Sequence, residues 1–300
     1  MGAARFLEGL IHVFPQKQIT IIGNVGDDIE IHGLHISPDL DIVTYTLAGL
    51  VDATKGWGFQ RDTFACQEIL RKYGYEAWFS LGDRDLATHI YRTQQLRNGK
   101  KLSEITEHLT HRLGLRTRLL PATDDPIQTH VLTDKGWMHF QEYMVKRKTN
   151  PKVLQVKFEG ARSARPTKGV VESIAKASGV IVAPSNPIIS IGAILAVPGI
   201  RAALRQTKRT VLGISPIIGG KTVKGPADKL MKTCGVKPSA LGVAEFYEDC
   251  LDALIVDRVD KKLAAGIERL GIRPLVANTL MKDIESKRRL ARIALGALKN

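Results

Sequence analysis

The sequence predicts an α/β protein with a Rossmann-like, three-layer αβα core, a mainly parallel sheet and a mostly helical insertion. Two observations support this prediction. In the second half of the chain, uninterrupted apolar segments such as "VIVAPSN" and "ALIVD" alternate with helix-like segments, which is typical of parallel strands covered by helices on both faces. The middle of the chain instead contains three helix-like blocks. We therefore expect a single α/β domain over residues 1–300, with its core at about 1–55 and 150–300 and the insertion at about 56–149.

The first predicted elements are a helix over residues 3–14 and a strand in "QITIIGNVGDD". Phe6, Leu7, Leu10, Ile11 and Phe14 recur at the spacing of an amphipathic helix. A helix followed by a buried strand is the second half of a βαβ unit, so the first strand of that unit is missing from the sequence. The Gly just before the helix is also typical of the end of a Gly-rich phosphate loop.

In the middle, "DTFACQEILRKYG", "DRDLATHIYRTQQLRNG" and "KLSEITEHLTHRLG" predict three helices, each of which ends at a Gly. "TRLLPATDDPIQTHVLTDKG" predicts two short strands around a polar turn. From about residue 165, "VIVAPSN", "TVLGISPIIGG", "ALIVD" and "RPLVAN" predict buried strands. Helices are expected in "KGVVESIAKASG", in the second half of "AILAVPGIRAALRQT", around 240–249, at 258–270 and from about 283. Ligands bind at the carboxyl ends of such strands.

The net charge of +14 is the one unusual bulk property. The basic residues are spread out, and the densest groups, at 201–209 and near the C-terminus, read as helices with solvent-exposed basic faces. Nucleic-acid binding would rest on this charge alone, because no aromatic-rich basic strand is present. No apolar run approaches the ~18 residues that span a membrane, and no signal peptide is visible. Cys66, Cys234 and Cys250 form no disulfide framework, so we expect a cytoplasmic protein without membrane or nucleic-acid partners.

Two neighbouring loops, at 24–28 and 37–41, are rich in carboxylates. Asp27, Asp28, Asp39 and Asp41 lie within fifteen residues and repel one another unless a cation or hydrogen-bond donors neutralise them. Mg²⁺ takes carboxylate and phosphate oxygens as ligands. The alternative is that Asp27 or Asp39 caps a helix.

The segment "LGDRDLATH", at 81–89, combines an acidic and a basic residue at a helix start. Asp83 or Asp85 is expected to cap the helix that follows, whereas Arg84 beside free amides suits a phosphate group. His89 is either an acid–base group or a structural residue of the helix.

Two further loops follow buried strands. "APSNPIISIG", at 183–192, holds more small hydrogen-bonding residues than a turn requires. "SPIIGGKTVKGPADKLM", at 215–231, has Ser215 where a Walker motif needs Gly, so it is no P-loop. It remains a candidate phosphate-binding loop with Lys221 and Lys224. The residues together favour an enzyme for a phosphorylated or nucleotide-linked substrate.

Several motifs occur in a characteristic order: "GDD", "SPDLD", "WGFQRDTF", "LGDRDLATH", "TDDP", "MHFQEY", "PSNPIISIG", "SPIIGG", "KGPADKLM" and "GVAEFY". Over nearly the whole chain they resemble the 2-phospho-L-lactate transferase family of coenzyme F420 biosynthesis. The resemblance implies transfer of a phospholactyl, or in relatives a phosphoenolpyruvyl, group from a diphosphoguanosine donor to the deazaflavin Fo. It also implies release of GMP, a requirement for Mg²⁺ and a homodimer.

The resemblance further implies roles for individual residues. Asp27 and Asp41 match acidic positions associated with metal and Fo, and Arg84 is the third expected catalytic residue. The loops at 185–192 and 219–224 match those that face the guanosine donor. The expected substrate contacts are Asp41, Ser80, Asp83, His89, Ser185, Asn186, Gly192, Gly219, Gly220 and Lys224. No general base is assigned, because a loose phosphoryl-type transition state depends on positioning and electrostatics.

Two positions depart from the family pattern. Some relatives carry a basic residue where this chain has Ser80. Relatives also open with an apolar strand and "GG-(T/V)-G", and Met1 occupies the place of the residue before the last Gly. We therefore expect a start upstream of Met1, which would be an internal valine codon, and better stability or activity when the upstream segment is restored. Native-host protein that begins at Met1 would contradict this expectation.

The alternative hypothesis is that the chain is a nucleotide-sugar-binding regulatory protein of the same fold without transferase activity. Such relatives share the Gly-rich strand–loop sites but are not expected to keep "SPDLD" and "LGDRDLATH" together.

Overall fold

A computed structural model describes residues 1–52 and 54–299 of the chain. The α-helices are α1 (Gly2–Ile11), α2 (Pro38–Leu47), α3 (Ala65–Lys72), α4 (Asp83–Arg97), α5 (Leu102–Arg112), α6 (Val170–Lys176), α7 (Gly192–Ala196), α8 (Ile200–Gln206), α9 (Ala227–Thr233), α10 (Ala240–Phe246), α11 (Ala264–Glu268) and α12 (Ile284–Ala297). The strands are β1 (Thr20–Gly23), β2 (Ile29–Ile31), β3 (Leu34–Ile36), β4 (Arg118–Pro121), β5 (Gln128–Thr133), β6 (Gly136–His139), β7 (Val153–Glu159), β8 (Val180–Val182), β9 (Val211–Ile214), β10 (Ile217–Ile218), β11 (Lys221–Thr222), β12 (Ala253–Asp257) and β13 (Arg273–Ala277). Short 3₁₀-helices cover Gln16–Gln18 and Arg258–Leu263, and π-helical turns cover Glu142–Lys146 and Pro187–Ile191.

The core strands are parallel, which confirms the predicted fold class. β13, β12, β9 and β8 form one parallel sheet in that order, and β1 pairs with β4 in a second. Every residue of β9 and β12 is buried, which is why these strands read as continuous apolar runs. Within the described residues, β1 and β8 share no hydrogen-bonded ladder.

Helix α1 packs against α2 and α12. A Cβ at Gly9 would overlap the backbone of Lys287, so α1 and α12 approach closely because Gly9 has no side chain. Lys287 also forms an ion pair with Glu8 at 2.5 Å between its Nζ and Glu8 Oε2. The predicted amphipathic face of α1 is buried through Phe6, Leu7 and Leu10.

The segment 56–149 contains the three predicted helices, α3, α4 and α5, and also strands. The two strands predicted around the "TDDP" turn are present but do not pair with each other. β4 joins β1, whereas β5 lies between β6 and β7 in an antiparallel sheet. Asp124, in the turn, accepts hydrogen bonds from the Ser103 backbone at 2.7 Å and hydroxyl at 2.9 Å, which ties the turn to the start of α5.

The β2–β3 hairpin, which follows the first acidic loop, was not predicted from the sequence. Its turn residues, His32 and Gly33, have φ values of 55° and 71°, as a two-residue turn between antiparallel strands requires. The hairpin leads directly into α2 and so fixes where the second acidic segment begins.

Within the described residues, no single helix is long and apolar enough to cross a membrane. The segments Pro187–Ala196 and Ile200–Gln206, bent by 89° relative to each other, reach the required length and composition only when taken together.

Candidate functional site

The first acidic loop, residues 24–28, leaves β1 at its carboxyl end and is held between the core and the insertion. The Thr129 backbone N–H of β5 donates to the Gly26 carbonyl at 2.5 Å. A Cβ at Gly26 would lie 2.8 Å from the Thr129 hydroxyl and 3.0 Å from the Ala193 Cβ of α7. Glycine is therefore needed at position 26 because β5 and α7 approach its backbone too closely for a side chain. The loop lies at the carboxyl end of β1, where ligands were expected.

Asp27, which is buried, and Asp39, which is partly exposed, form an acidic pair at this end of β1. The Asn24 side chain donates to Asp39 Oδ2 at 2.7 Å and accepts from the Gly26 N–H at 2.8 Å, so it holds both segments in place. Asp27 Oδ1 has no hydrogen-bond partner within the described residues. Burial raises the pKa of Asp27 well above its usual value, and the charge of Asp39 raises it further. Buried carboxylates with unused oxygens fit a hard divalent cation.

Asp41, which the sequence analysis grouped with Asp27, has a different partner. Arg92 of α4 donates through Nη1 to Asp41 Oδ2 at 3.1 Å and forms an ion pair through Nη2 with Oδ1. Arg92 is 2% exposed and Asp41 is 6% exposed. Residues two apart on a helix point to different sides, so Asp39 lies beside Asp27 while Asp41 faces α4.

The Asp41–Arg92 pair belongs to a buried polar network between α2 and α4. His89 Nδ1 lies 3.3 Å from Arg92 Nη1, and His89 Nε2 lies 3.2 Å from Asp85 Oδ1. The Tyr45 hydroxyl donates to Asp85 at 2.7 Å. His89 is 1% exposed, so in this conformation it serves the network and has no open path to a substrate. Arg92 was not predicted as a site residue. The feature that could have indicated it is its position three residues after His89 on the same helix.

Asp28 is tied to its surroundings more fully than Asp27. Its Oδ2 accepts from the Ser37 hydroxyl at 2.7 Å and lies 3.0 Å from His35 Nε2. Its carbonyl lies 3.1 Å from His139 Nε2, while His139 Nδ1 accepts from the Gln141 N–H at 3.1 Å. His139 therefore acts as a neutral ring that donates to the acidic loop from the insertion.

The His139 ring makes stability depend on pH in a defined window. Burial lowers the pKa of His139 from 6.5 to about 4, and the nearby His130 contributes to the shift. Between these values the unfolded chain binds the proton more readily than the folded chain. The stabilisation is therefore complete above pH 6.5 and is lost as the pH falls towards 4, by on the order of 2 kcal/mol.

Urea unfolding at pH 7 and pH 5 measures this loss. His139→Asn lacks the titrating ring and should show a smaller difference between the two pH values. An equal difference in both proteins would contradict the assignment of the effect to His139.

Asp83 and Asp62 cap each other's helices. Asp83 accepts from the Ala65 and Cys66 amides at the start of α3, each at 3.0 Å. Asp62 accepts from the Arg84 amide at 2.8 Å and from the Asp85 amide at 3.3 Å at the start of α4. The expectation that Asp83 or Asp85 caps the following helix is therefore wrong, because the cap of α4 comes from Asp62, more than twenty residues earlier.

Arg84 and Ser80 flank this reciprocal cap. The Arg84 side chain is exposed and donates through Nη1 to the Gln60 carbonyl at 3.3 Å, which leaves guanidinium donors free for an anion. Ser80 is partly buried. Asp83 makes a further bond with the Thr63 hydroxyl at 2.5 Å, so its carboxylate is already used within the protein.

Gly82→Ala tests the reciprocal cap. A Cβ at this position would overlap the Asp62 carboxylate, so we expect the free energy of unfolding to fall by about 1–2 kcal/mol through loss of the α4 cap. Gly296→Ala is the matched control, because Gly296 lies in α12 with open space around its Cα and alanine favours helix by about 1 kcal/mol. Urea unfolding should therefore give opposite signs, and an unchanged Gly82→Ala protein would contradict the cap.

The loop after β8 turns into the π-helical segment Pro187–Ile191. The Asn186 side-chain oxygen accepts from the Ile188 amide at 2.9 Å and the Ile189 amide at 3.4 Å, and so caps this segment. Ser185 is partly exposed. A Cβ at Gly192 would lie 2.9 Å from the Pro187 carbonyl oxygen. Asn186 and Gly192 thus shape the loop, while the hydroxyls of Ser185 and Ser190 make no hydrogen bond within the described residues.

Gly219 and Gly220 form the turn of the β10–β11 hairpin. Their φ values are 58° and 77°, which a type I′ turn needs at both central positions. The Gly219 amide donates to Asp260 at 2.9 Å. These glycines therefore build a hairpin instead of a loop of free amides. Lys224, just beyond the hairpin, donates to the Lys55 carbonyl at 3.3 Å.

Comparisons with known proteins show the family of the chain. A family model described as 2-phospho-L-lactate transferase CofD matches residues 1–287. A phosphoenolpyruvate transferase of Streptomyces griseus is 44% identical and is aligned over 98% of this chain and 95% of its own length. A 2-phospho-L-lactate transferase of Methanosarcina acetivorans is 41% identical, again over 98% and 95% of the two chains.

A crystal structure of a protein from Bacillus halodurans shares the fold. Its TM-score is 0.65 at 19% sequence identity, and the match covers 98% of this chain and 96% of the other. A second crystal structure from the same organism, described as a member of the UPF0052 family, has a TM-score of 0.62 at 17% identity. At this identity the likeness concerns the fold alone.

Proposed function

The chain belongs to the 2-phospho-L-lactate transferase CofD family, and on that premise we propose that it carries out one specific transfer in coenzyme F420 biosynthesis. It moves a phospholactyl or phosphoenolpyruvyl group from a guanosine-diphosphate-linked donor to the deazaflavin Fo, with release of GMP. The observation that supports this most directly is the Asp27–Asp39 pair at the carboxyl end of β1, because the buried Asp27 keeps an oxygen free for a cation. The relative named a phosphoenolpyruvate transferase is 44% identical to this chain, and the relative named a 2-phospho-L-lactate transferase is 41% identical. Sequence identity therefore does not indicate which three-carbon group is transferred.

We propose that Asp27 and Asp39 hold Mg²⁺. The fit rests on the unused Oδ1 of Asp27 and on the raised pKa that burial and Asp39 impose. When bound, such an ion stabilises negative charge on phosphate oxygens. Asn24 orients Asp39 through a bond of 2.7 Å, and the Arg92 ion pair fixes the first turn of α2, from which Asp39 projects.

Two exposed cationic side chains suit a diphosphate. Arg84 and Lys224 are exposed and carry donors that are free or bonded only weakly to backbone carbonyls in the described residues. Their role is to bind and orient the phosphate groups, so that the Fo hydroxyl attacks the phosphorus beside the lactyl or enolpyruvyl oxygen. The bond from that phosphorus to the GMP oxygen breaks, and positioning with charge stabilisation supplies the catalysis.

The experiment that tests the function is incubation of the protein with Fo, Mg²⁺ and each diphosphoguanosine donor in turn. Mass analysis should find Fo extended by phospholactate or by phosphoenolpyruvate, together with GMP. Omission of Mg²⁺ should abolish product. Absence of product with every donor would overturn the proposal.

The alternative, a nucleotide-sugar-binding regulator, has weaker support. It rests on a fold shared with the UPF0052 protein at 17% identity, whereas the named transferases are more than twice as similar in sequence. Binding of a nucleotide-sugar without Fo binding would favour the regulator.

We also propose a cytoplasmic homodimer. The free thiols of Cys66, Cys234 and Cys250 suit a reducing compartment. Light scattering of the purified protein tests the dimer, and a monomer at micromolar concentration would contradict it.

A further inference from the structure

Thr129, on the central strand β5 of the antiparallel sheet, carries a hydroxyl that is completely buried. The residue is 0% exposed, and its Oγ1 makes no hydrogen bond within the described residues. A buried hydroxyl that gives up water without gaining a partner is destabilising. Valine has the same shape, suits a strand and would avoid this cost. The hydroxyl at position 129 therefore needs an explanation other than the stability of the sheet.

Thr133, on the same face of β5, has a hydroxyl whose role is structural. Its Oγ1 donates to the Gly136 carbonyl at 3.0 Å and accepts from the Lys135 amide at 3.0 Å, so it holds the turn between β5 and β6. Both threonines lie on the buried face of the strand. The unused hydroxyl of Thr129 is therefore not a general property of this face of β5.

Thr129 is held directly against the first acidic loop. Its backbone N–H donates to the Gly26 carbonyl at 2.5 Å, and a Cβ at Gly26 would lie 2.8 Å from Thr129 Oγ1. The backbone and the side chain of Thr129 therefore both contact the residue that precedes Asp27. This double contact fixes the hydroxyl beside the acidic pair.

The Asp27 carboxylate is the group that this hydroxyl can serve. Asp27 is 5% exposed, and its Oδ1, like Thr129 Oγ1, has no partner within the described residues. The Thr129 hydroxyl lowers the pKa of Asp27, against the larger effects of burial and of Asp39, as a donor to the charged form does. The two groups form no hydrogen bond of ordinary geometry in this conformation. A free donor and a free acceptor thus lie side by side at the site.

The other side-chain donor beside the acidic pair is already used. The Asn24 side-chain nitrogen donates to Asp39 Oδ2 at 2.7 Å and to the Ile189 carbonyl at 3.5 Å, and a primary amide has two N–H groups. Asn24 therefore holds Asp39, whereas the Thr129 hydroxyl remains for Asp27.

We propose that Thr129 is a positioning residue for the transfer, an inference that rests on the proposed function. Its hydroxyl donates to the charged Asp27 carboxylate and fixes the orientation in which the remaining lone pairs of that carboxylate face the cation. Ligating carboxylates are ordinarily held by such hydrogen bonds, and a hydroxyl hydrogen turns to suit the charge beside it. The insertion, through β5, thus supports a site that the core strands carry.

Isothermal titration of the metal-free full chain with MgCl₂ tests this inference. Thr129→Val keeps the shape of the side chain and removes the hydroxyl, so the Kd for Mg²⁺ should rise about tenfold or more. Thr129→Ser keeps the hydroxyl and should restore most of the affinity.

Thr117→Val is the matched control for loss of a buried hydroxyl. Thr117 Oγ1 is also buried without a partner among the described residues. The residue precedes β4 at the amino end of the β1–β4 pair, whereas the acidic loop leaves the carboxyl end. This variant should therefore bind Mg²⁺ like the wild type.

Urea unfolding of the metal-free variants separates positioning from a structural role. Thr129→Val and Thr117→Val each remove an unpaired hydroxyl, so their urea midpoints should equal or exceed that of the wild type. Thr133→Val removes two hydrogen bonds and should lower the midpoint. In the transfer assay, Thr129→Val should raise the Mg²⁺ concentration at half-maximal rate, and saturating Mg²⁺ should restore most of the rate.

Equal Mg²⁺ affinity in Thr129→Val and the wild type would overturn the inference. Affinity as weak in Thr129→Ser as in Thr129→Val would also overturn it, because the hydroxyl would then not be the group that matters. A midpoint of Thr129→Val as low as that of Thr133→Val would show that the hydroxyl is structural, and a wild type that binds no Mg²⁺ would refute the metal site and this inference together. Failure of the proposed function shows separately, as absence of product from the wild type with every donor, because Mg²⁺ affinity is measured on the protein alone.

Discussion

Arg92→Met is expected to lower the free energy of unfolding by about 3–5 kcal/mol. The substitution keeps the apolar stem of the side chain and leaves the Asp41 carboxylate buried without a cation. Asp41 is 6% exposed, and each of its carboxylate oxygens contacts the Arg92 guanidinium. Arg92 also donates to the His35 carbonyl at 3.4 Å, so the start of α2 and the strand before it lose a tie to α4.

Urea unfolding followed by circular dichroism measures this effect. Arg97→Met on the same helix is the control, because Arg97 is exposed and donates to the Gly33 carbonyl at 3.0 Å; its loss should stay below about 1 kcal/mol. The double variant Arg92→Met/Asp41→Asn removes the stranded charge and should recover part of the loss. A loss below about 1 kcal/mol in Arg92→Met would show that the pair does not hold α2 on α4.

Asp27→Asn is expected to reduce the transfer rate by about 10²–10³-fold without loss of stability. The amide keeps the shape of the carboxylate but removes the charge that would bind the proposed Mg²⁺. Because burial and Asp39 both disfavour that charge in the metal-free protein, the free energy of unfolding is not expected to fall. Activity should therefore be lost from a protein that is folded as well as the wild type.

Product formation from Fo and donor, measured over a range of Mg²⁺ concentrations, gives the rate. Glu30→Gln provides the same chemical change on β2, three residues away, at an exposed side chain, and should leave the rate within about twofold. A rate within tenfold of wild type for Asp27→Asn would contradict a role for Asp27 in metal binding.

The loops at the carboxyl ends of the strands could be predicted from the sequence, because strand ends can be read from local pattern. The continuous apolar runs of β9 and β12 marked buried parallel strands, and the polar loops that follow such strands mark the ligand edge. The acidic loop at 24–28 and the hairpin at 217–222 both lie there in the structure.

Which side chains pair with one another within the site could not be predicted from local sequence pattern. Asp27 and Asp41 were predicted to share the metal site, whereas Asp39 lies beside Asp27 and Asp41 pairs with Arg92, fifty-one positions later. The rotation of α2 decides between the two carboxylates, and that rotation is set by the β2–β3 hairpin and by packing on α4.

The capping of α3 and α4 shows the same limit. A cap is ordinarily sought immediately before its helix, but Asp62 caps α4 and Asp83 caps α3 across about twenty residues. Two glycines that suggested a phosphate loop, Gly219 and Gly220, proved to be a hairpin turn because their positive φ values suit both central positions.

By itself the sequence determined the fold class and the family, and it predicted the loops proposed to carry the chemistry, because apolar periodicity, turn residues and ordered motifs are local properties of the chain. Only the tertiary structure decided which carboxylates share a site, which are neutralised and which glycines are needed for close approach. Those outcomes depend on distances between residues that are far apart in the chain, and a buried charge takes its pKa and its role from whichever neighbours the packing supplies.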